Sequence, residues 1–243
     1  MLIKALLFHL DLGIFKGGFI GVDVFFVISG YLITQSIVND LSISKFTLVD
    51  FFHRRVLRIL PALFVFVAFV GLSSLLFFNP EKNYAQLPIL IYVLVFIPNL
   101  YFGQQTNYSS LSDGLSPYFH TWSLGVEEQF YLFWPFFLLF FFKAGKRRLQ
   151  FFAILCLILI SFWMREEFID NFPLFTFHSP VTRIWEIAIG GALVYIPRIS
   201  EGRIASFLAV YIGLLMILWA SLVLEIQTPV EGFYALLPVI GIA

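Results

Sequence analysis

Apolar runs long enough to cross a lipid bilayer recur from one end of the chain to the other, and they are continuous rather than alternating. A spanning helix needs about 20 mostly apolar residues. Such runs, or parts of them, lie at 1–11, 19–38, 61–78, 85–102, 121–142, 149–164, 183–197, 204–223 and 232–243. A transmembrane barrel would instead need short alternating segments with a polar lumen face. Hydrophobic residues make up 60% of the chain and charged residues 12%, with a mean hydropathy of +0.92. A soluble domain carries about 25% charged residues, so this chain has too little polar surface to cover a water-soluble globule. The expected fold is all-α, a polytopic integral membrane helical bundle of about 7–8 spans or part-spans. Residues 1–243 read as a single transmembrane domain with no soluble domain. Both ends read as part-spans, as expected of a piece of a longer membrane domain.

The basic residues orient the bundle. Lys45, Arg54, Arg55 and Arg58 precede the run at 61, Lys143, Lys146, Arg147 and Arg148 follow 142, and Arg198 and Arg203 follow 197. The positive-inside rule places all three groups on the cytoplasmic side. Three apolar segments separate Arg58 from Lys143, whereas two cytoplasmic loops require an even number. The segment at 85–102, interrupted by Pro88, Pro98 and Asn99, is therefore expected to be re-entrant or interfacial. Residues 12–18, 79–120, 165–182 and 224–231 then fall outside. The expected location is the inner, cytoplasmic membrane, crossed several times.

The charges balance, 15 basic against 15 acidic, so nothing suggests a nucleic-acid partner. The single cysteine, Cys156, has no partner for an internal disulfide and is expected to pack inside the bundle. No Walker loop, GxGxxG, GxSxG or zinc-type spacing is present. No metal and no tightly bound cofactor are expected.

Ionisable groups inside a membrane are functional candidates, and four sets stand out. His9, near the outer end of the first run, has the residue type of a general base. Asp23, in the next run, is a candidate to orient it. Arg55 and Arg58 are three positions apart, so they share a helix face and suit a diphosphate or other polyanion. The plainer reading is positive-inside anchoring. In HTWSLGVEEQFYLFWP, Ser123 is a candidate helix cap, with Glu127 and Glu128 near the positive end of the helix dipole. Adjacent residues point about a hundred degrees apart on a helix, so one of the two carboxylates at most faces a given cavity. Arg183 and Glu186, spaced for an intrahelical pair, are either structural or part of a pocket. Gly190 and Gly191 permit close helix packing.

Taken in order, GGFIGVDVFFVISGYLIT, FFHRRVLRILPAL, HTWSLGVEEQFYLFWP and RIWEIAIGGAL resemble the successive signatures of the membrane acyltransferase-3 family. Its best-known members O-acetylate bacterial surface polysaccharides such as O-antigen or peptidoglycan. The resemblance implies a bundle of about ten helices that takes an acyl group from cytoplasmic acyl-CoA and delivers it to a hydroxyl at the far face. Acyl-CoA, most simply acetyl-CoA, would be the donor substrate. A cell-surface glycan or lipid-linked sugar would be the acceptor, with membrane lipids as surroundings. The family's essential histidine matches His9, its RxxR pair Arg55 and Arg58, its SxxxE motif Ser123 and Glu127, and its later Arg/Glu pair Arg183 and Glu186. The family's arginine about ten residues before the histidine has no counterpart, because eight residues precede His9. Joined to the residue reading, the resemblance points to His9 as general base or transient acyl carrier, with Asp23 or a carboxylate from Glu127/Glu128 orienting it, to acyl-CoA held by Arg55 and Arg58, and to a pocket or structural role for Ser123, Glu128, Arg183 and Glu186. On this map the arginines lie toward the cytoplasm and the other groups toward the outside. Two other readings of the same buried charges are a lipid or glycan transporter and a non-catalytic fragment of an acyltransferase.

Overall fold

The computed structural model of the chain describes residues 20–77, 80–104, 116–142, 147–197, 203–223 and 232–243. The described residues form helices and connecting turns, with no strand. In chain order the helices are α1 (Ile20–Ser42), α2 (Leu48–Phe77), α3 (Pro80–Leu94), α4 (Pro98–Gly103), α5 (Thr121–Phe142), α6 (Arg147–Ile169), α7 (Pro173–His178), α8 (Pro180–Leu193), α9 (Arg203–Val223) and α10 (Gly232–Ile242).

Two of them, over Ile20–Ser42 and Leu48–Leu76, are long and apolar enough to cross a membrane by length and composition, and Phe207–Val223 is a shorter apolar helix. Their outward faces fit lipid rather than water. Val65, Phe69 and Leu75 of α2 are 70%, 69% and 73% exposed. The face of α9 carrying Phe207, Val210, Leu214 and Leu218 is exposed as well. A soluble monomer rarely shows contiguous apolar patches of that extent.

Helix α2 starts well before residue 61, where the apolar run suggested. Thr47 caps it: its Oγ1 accepts from the Asp50 N–H at 3.1 Å and donates to the Asp50 carboxylate at 2.5 Å, which satisfies one of the orphan N–H groups of the first turn. Arg54, Arg55 and Arg58 therefore sit on the helix, and Pro61 lies inside it. Arg54 closes the turn between α1 and α2 by an ion pair with Asp40 at 2.8 Å.

Helices α1 and α8 make the closest packing in the bundle, and glycines permit it. A Cβ on Gly30 would lie 1.8 Å from the Ile187 carbonyl oxygen, and one on Gly190 would lie 1.9 Å from that of Val27. Backbone meets backbone there, as small residues allow between membrane helices. Gly191 extends the contact to α5, since its Cβ would lie 2.8 Å from both Thr34 Oγ1 and Trp134. The Trp134 indole N–H donates to Thr34 Oγ1 at 2.7 Å. Around this seam Phe26, Ile33, Trp122, Val126, Phe130 and Ile187 form the core.

The segment at 85–102 is broken before Pro98, whereas Pro88 does not interrupt it and lies inside α3. α3 ends at Leu94, Phe96 takes a left-handed φ of 60°, and α4 begins at Pro98. Irregular backbone at membrane depth needs partners within the protein. Gln129 of α5 supplies them: its side-chain NH2 donates to the Phe96 carbonyl at 3.1 Å and to Asn99 Oδ1 at 2.8 Å. Asn99 donates in turn to the His178 carbonyl at 3.3 Å, joining the break to α7.

Two expectations are corrected. Cys156 is exposed on α6 rather than packed inside, because the inward stripe of that helix is carried by Gln150, Ile154, Ser161 and Arg165. Arg165 does not belong to an outer loop. It is on α6 and buried.

Candidate active site

The ionisable residues gather into two constellations. The first is a cavity of about 410 Å³ whose walls come from α1, α2, α5 and the turn before α5. Arg55 and Arg58 enter it from one face of α2, together with Ile59, Ala62, Leu63 and Phe66 from the following turns. Glu127 and Tyr131 enter from α5, four positions apart and so on one helix face. Ser29 enters from α1 and His120 from the turn before α5.

Glu127 is buried, and hydroxyl donors hold it. Ser29 Oγ and the Tyr131 hydroxyl both donate to its Oε1. Arg55 and Arg58 lie within electrostatic reach of its carboxylate. The Arg55 guanidinium stacks over the Tyr131 ring, 5.0 Å from its centroid, and lies 5.8 Å from that of Phe51. Two guanidiniums and one anchored carboxylate thus share a mostly apolar chamber. The guanidiniums can hold an anionic group through charge-assisted hydrogen bonds. The carboxylate can accept a hydrogen bond from a hydroxyl or exchange a proton with one.

The second constellation is buried deeper, and among the described residues Glu186 Oε2 is its one carboxylate oxygen buried without a hydrogen-bond partner. Arg183 Nη1 donates to Asp23 Oδ1 at 2.7 Å and to Glu186 Oε1 at 2.5 Å. Its Nε donates to the Phe177 carbonyl at 3.1 Å. Its planar head lies 4.7 Å from the Phe177 ring centroid and 5.6 Å from that of Trp122. Arg165 pairs with Glu166 at 3.4 Å and lies within electrostatic reach of Asp23 and Glu186. The buried Arg165 and Arg183 formally balance the buried Asp23 and Glu186, with the part-exposed Glu166 at the edge of the group, and such pairing is what lets buried charges sit among aromatic rings.

The sequence-derived residues therefore divide differently from the inside–outside map. Arg55 and Arg58 do not stand apart from the other groups, because they share a cavity with Glu127. Asp23 accepts a hydrogen bond from Arg183, and His9 lies outside the described residues. The Arg183–Glu186 pair forms as its spacing predicts. Ser123 neither caps α5 nor meets Glu127. The helix has already begun at Thr121, and the Ser123 hydroxyl donates back to the His120 carbonyl at 3.2 Å. Of the two adjacent carboxylates Glu127 lines the cavity and Glu128 does not. Among the described residues no three His, Cys, Asp or Glu side chains are grouped to hold a metal ion.

Four participants escaped the sequence reading. Tyr131 follows Glu127 by one helical turn, a spacing that would have found it. His120 opens the HTWSLG run. Arg165 was hidden at the edge of an apolar segment. Ser29 is 98 positions from Glu127, and no local pattern reports such a pairing.

Comparison with known proteins assigns the chain to a family. The family profile described as an acyltransferase domain, that of the acyltransferase-3 family, matches residues 5–243. The chain is 36% identical over 201 residues to the peptidoglycan O-acetyltransferase OatA of Listeria monocytogenes, covering 80% of this chain and 32% of that protein. It is 33% identical over 198 residues to the O-acetyltransferase OatA of Staphylococcus aureus, covering 80% of this chain and 32% of that protein. The chain thus spans about a third of the length of these curated relatives. No solved structure matches it. With a profile match over nearly its whole length and relatives of this similarity, the chain belongs to the acyltransferase-3 family.

Proposed function

We propose that this chain is the membrane part of an O-acyltransferase that moves an acyl group, acetyl in the simplest case, from cytoplasmic acyl-CoA to a hydroxyl of a cell-surface glycan or lipid-linked sugar. The observation that carries the proposal is the cavity in which Arg55 and Arg58 meet a carboxylate, Glu127, held by two hydroxyls. The paired guanidiniums suit the diphosphate of coenzyme A. The two relatives are named as O-acetyltransferases, one of them acting on peptidoglycan, and a peptidoglycan or similar glycan is the acceptor that follows for this chain.

The chemistry is an acyl exchange. The thioester C–S bond breaks and an ester C–O bond forms, while the proton of the acceptor hydroxyl ends on the departing thiolate. His9 takes that proton, or first carries the acyl group itself. Glu127 supports charge and proton position at the donor end. Asp23 sets the polarity near the outer end of α1 and is the candidate to orient the His9 imidazole. Arg183 and Glu186 fix the α1–α8 seam. The domain crosses the cytoplasmic membrane several times, in about 7–8 spans or part-spans, and the broken segment at 85–102, re-entrant or interfacial, ends on the side it entered from.

Vesicles supplied with labelled acetyl-CoA on the cytoplasmic side test the reading. Label is expected in a glycan or lipid-linked acceptor, and it is expected to disappear in the His9→Ala variant. Movement of unmodified glycan without any need for acetyl-CoA would replace the acyltransferase by a transporter.

A further inference from the structure

The proposed function uses Arg55, Arg58 and Glu127 and leaves unused the side chain that touches both kinds of charge. Tyr131 is buried, and its two chemical faces are engaged separately. Its hydroxyl donates to Glu127 Oε1. Its ring carries the Arg55 guanidinium, 5.0 Å above the centroid. Ser29, from a different helix, donates to the same carboxylate oxygen. An intrahelical tyrosine–glutamate bond alone would be an ordinary packing detail. A tyrosine whose hydroxyl fixes a cavity carboxylate, while its π-face seats a cavity cation, is placed to set the distance between the two.

We infer that Tyr131 is a positioning residue that couples the donor-binding cation Arg55 to the carboxylate Glu127, the ring governing donor binding and the hydroxyl governing the transfer step. The inference rests on the acyl-CoA reading of the cavity. A phenol ring seats a guanidinium through its quadrupole, and a phenylalanine ring does so nearly as well. The hydroxyl serves Glu127, within the hydrogen-bonded group it forms with Ser29. The two functions of one side chain are therefore separable by substitution, whereas a merely structural role would move both parameters together.

The test uses the detergent-solubilised full chain, with labelled acetyl-CoA as donor and a soluble peptidoglycan oligosaccharide as acceptor. Acetyl-CoA binding is measured separately by calorimetry. Tyr131→Phe is expected to lower kcat by roughly tenfold, the order of one hydrogen bond to a charged group. It should leave KM and Kd for acetyl-CoA within about twofold, because the ring stays. Ser29→Ala should reproduce that pattern, since it removes the other donor to the same oxygen. Tyr131→Leu should add a rise in Kd of roughly fivefold. The inference is overturned by a Tyr131→Phe variant with wild-type kcat, or by equal weakening of acetyl-CoA binding in Tyr131→Phe and Tyr131→Leu. A wild-type chain that neither binds acetyl-CoA nor transfers the label overturns the donor reading itself and the coupling with it, and it does so before any variant is made.

Discussion

A guanidinium buried among aromatic rings is stable only beside its counter-charges, and Arg183 has two of them. Its Nη1 serves both Asp23 and Glu186, and its Nε serves the Phe177 carbonyl. Removing the arginine strands two carboxylates in the core. Arg183→Leu is expected to cost about 3–5 kcal/mol, the range for breaking a buried pair from one side, seen as a large drop in the thermal midpoint of the solubilised protein. Arg183→Lys keeps the charge but loses the planar fork, and should fall between wild type and Arg183→Leu. Arg55 stands in a different setting, at a cavity wall. Arg55→Ala should leave the midpoint nearly unchanged and raise KM for acetyl-CoA by roughly tenfold or more, as loss of a charge-assisted contact implies. Equal behaviour of the two arginines in the melting experiment would contradict this division. How far these roles are legible in the sequence follows from distance along the chain. Arg55 with Arg58, and Arg183 with Glu186, are pairs at helical spacing, so local geometry reveals them. Asp23 joins Arg183 across 160 positions and Ser29 joins Glu127 across 98, and only the fold makes those pairs. Ser123 misleads for the opposite reason. Its residue type suits a cap, but the helix starts two residues earlier.

Between elements, the glycines of α1 and α8 separate into two classes with opposite expected signs. Gly30 and Gly190 face backbone carbonyls at distances no Cβ tolerates, 1.8 and 1.9 Å. Gly30→Ala or Gly190→Ala must push α1 and α8 apart, at a cost of about 1–3 kcal/mol or more. Gly21, on the same helix as Gly30, has nothing within 4 Å of its would-be Cβ. Gly21→Ala should stabilise by about 0.5–1 kcal/mol, because it only removes backbone freedom from the unfolded chain. Thermal midpoints of the three variants, measured in one detergent, read both signs in a single experiment. A destabilising Gly21→Ala, or a neutral Gly30→Ala, would count against the α1–α8 seam. The sequence announces such glycines but does not rank them, because the rank depends on a helix more than 150 positions away. The interruption at Pro88, Pro98 and Asn99 is legible in the same partial way. Pro98 marks the break and Pro88 is carried inside α3, while the amide of Gln129 that satisfies the freed Phe96 carbonyl lies on another helix. Gln129→Leu should leave that carbonyl and Asn99 short of a donor, lowering stability by about 1–3 kcal/mol.

On the proposed multi-pass topology, the decisive quantity for the whole molecule is the parity of crossings, and the broken segment sets it. With α3 and α4 returning to the side they entered from, the turn after α1 and the turn after α6 face opposite sides of the membrane. If the segment crosses instead, the two turns face the same side. Ile43 and Asn171 are exposed positions in those turns, and each can be replaced by cysteine in a Cys156→Ser background. A charged, membrane-impermeant maleimide applied to intact cells should label Asn171→Cys and spare Ile43→Cys. Inside-out vesicles should reverse the pattern. Matching labelling of both positions in either preparation would make the segment a true span and would invert every element after it, including the face to which α8 presents Arg183. Cys156 supplies an internal control in the unmodified chain. It is exposed on a helix whose neighbouring Phe152, Leu155 and Leu159 are exposed too, an apolar surface that suits lipid rather than water. The charged reagent should therefore fail to reach it in membranes and should label it once the protein is unfolded in detergent. Labelling of Cys156 in intact membranes would mean that this face of α6 meets water, and the parity argument would then have to be rebuilt from a bundle with fewer crossings.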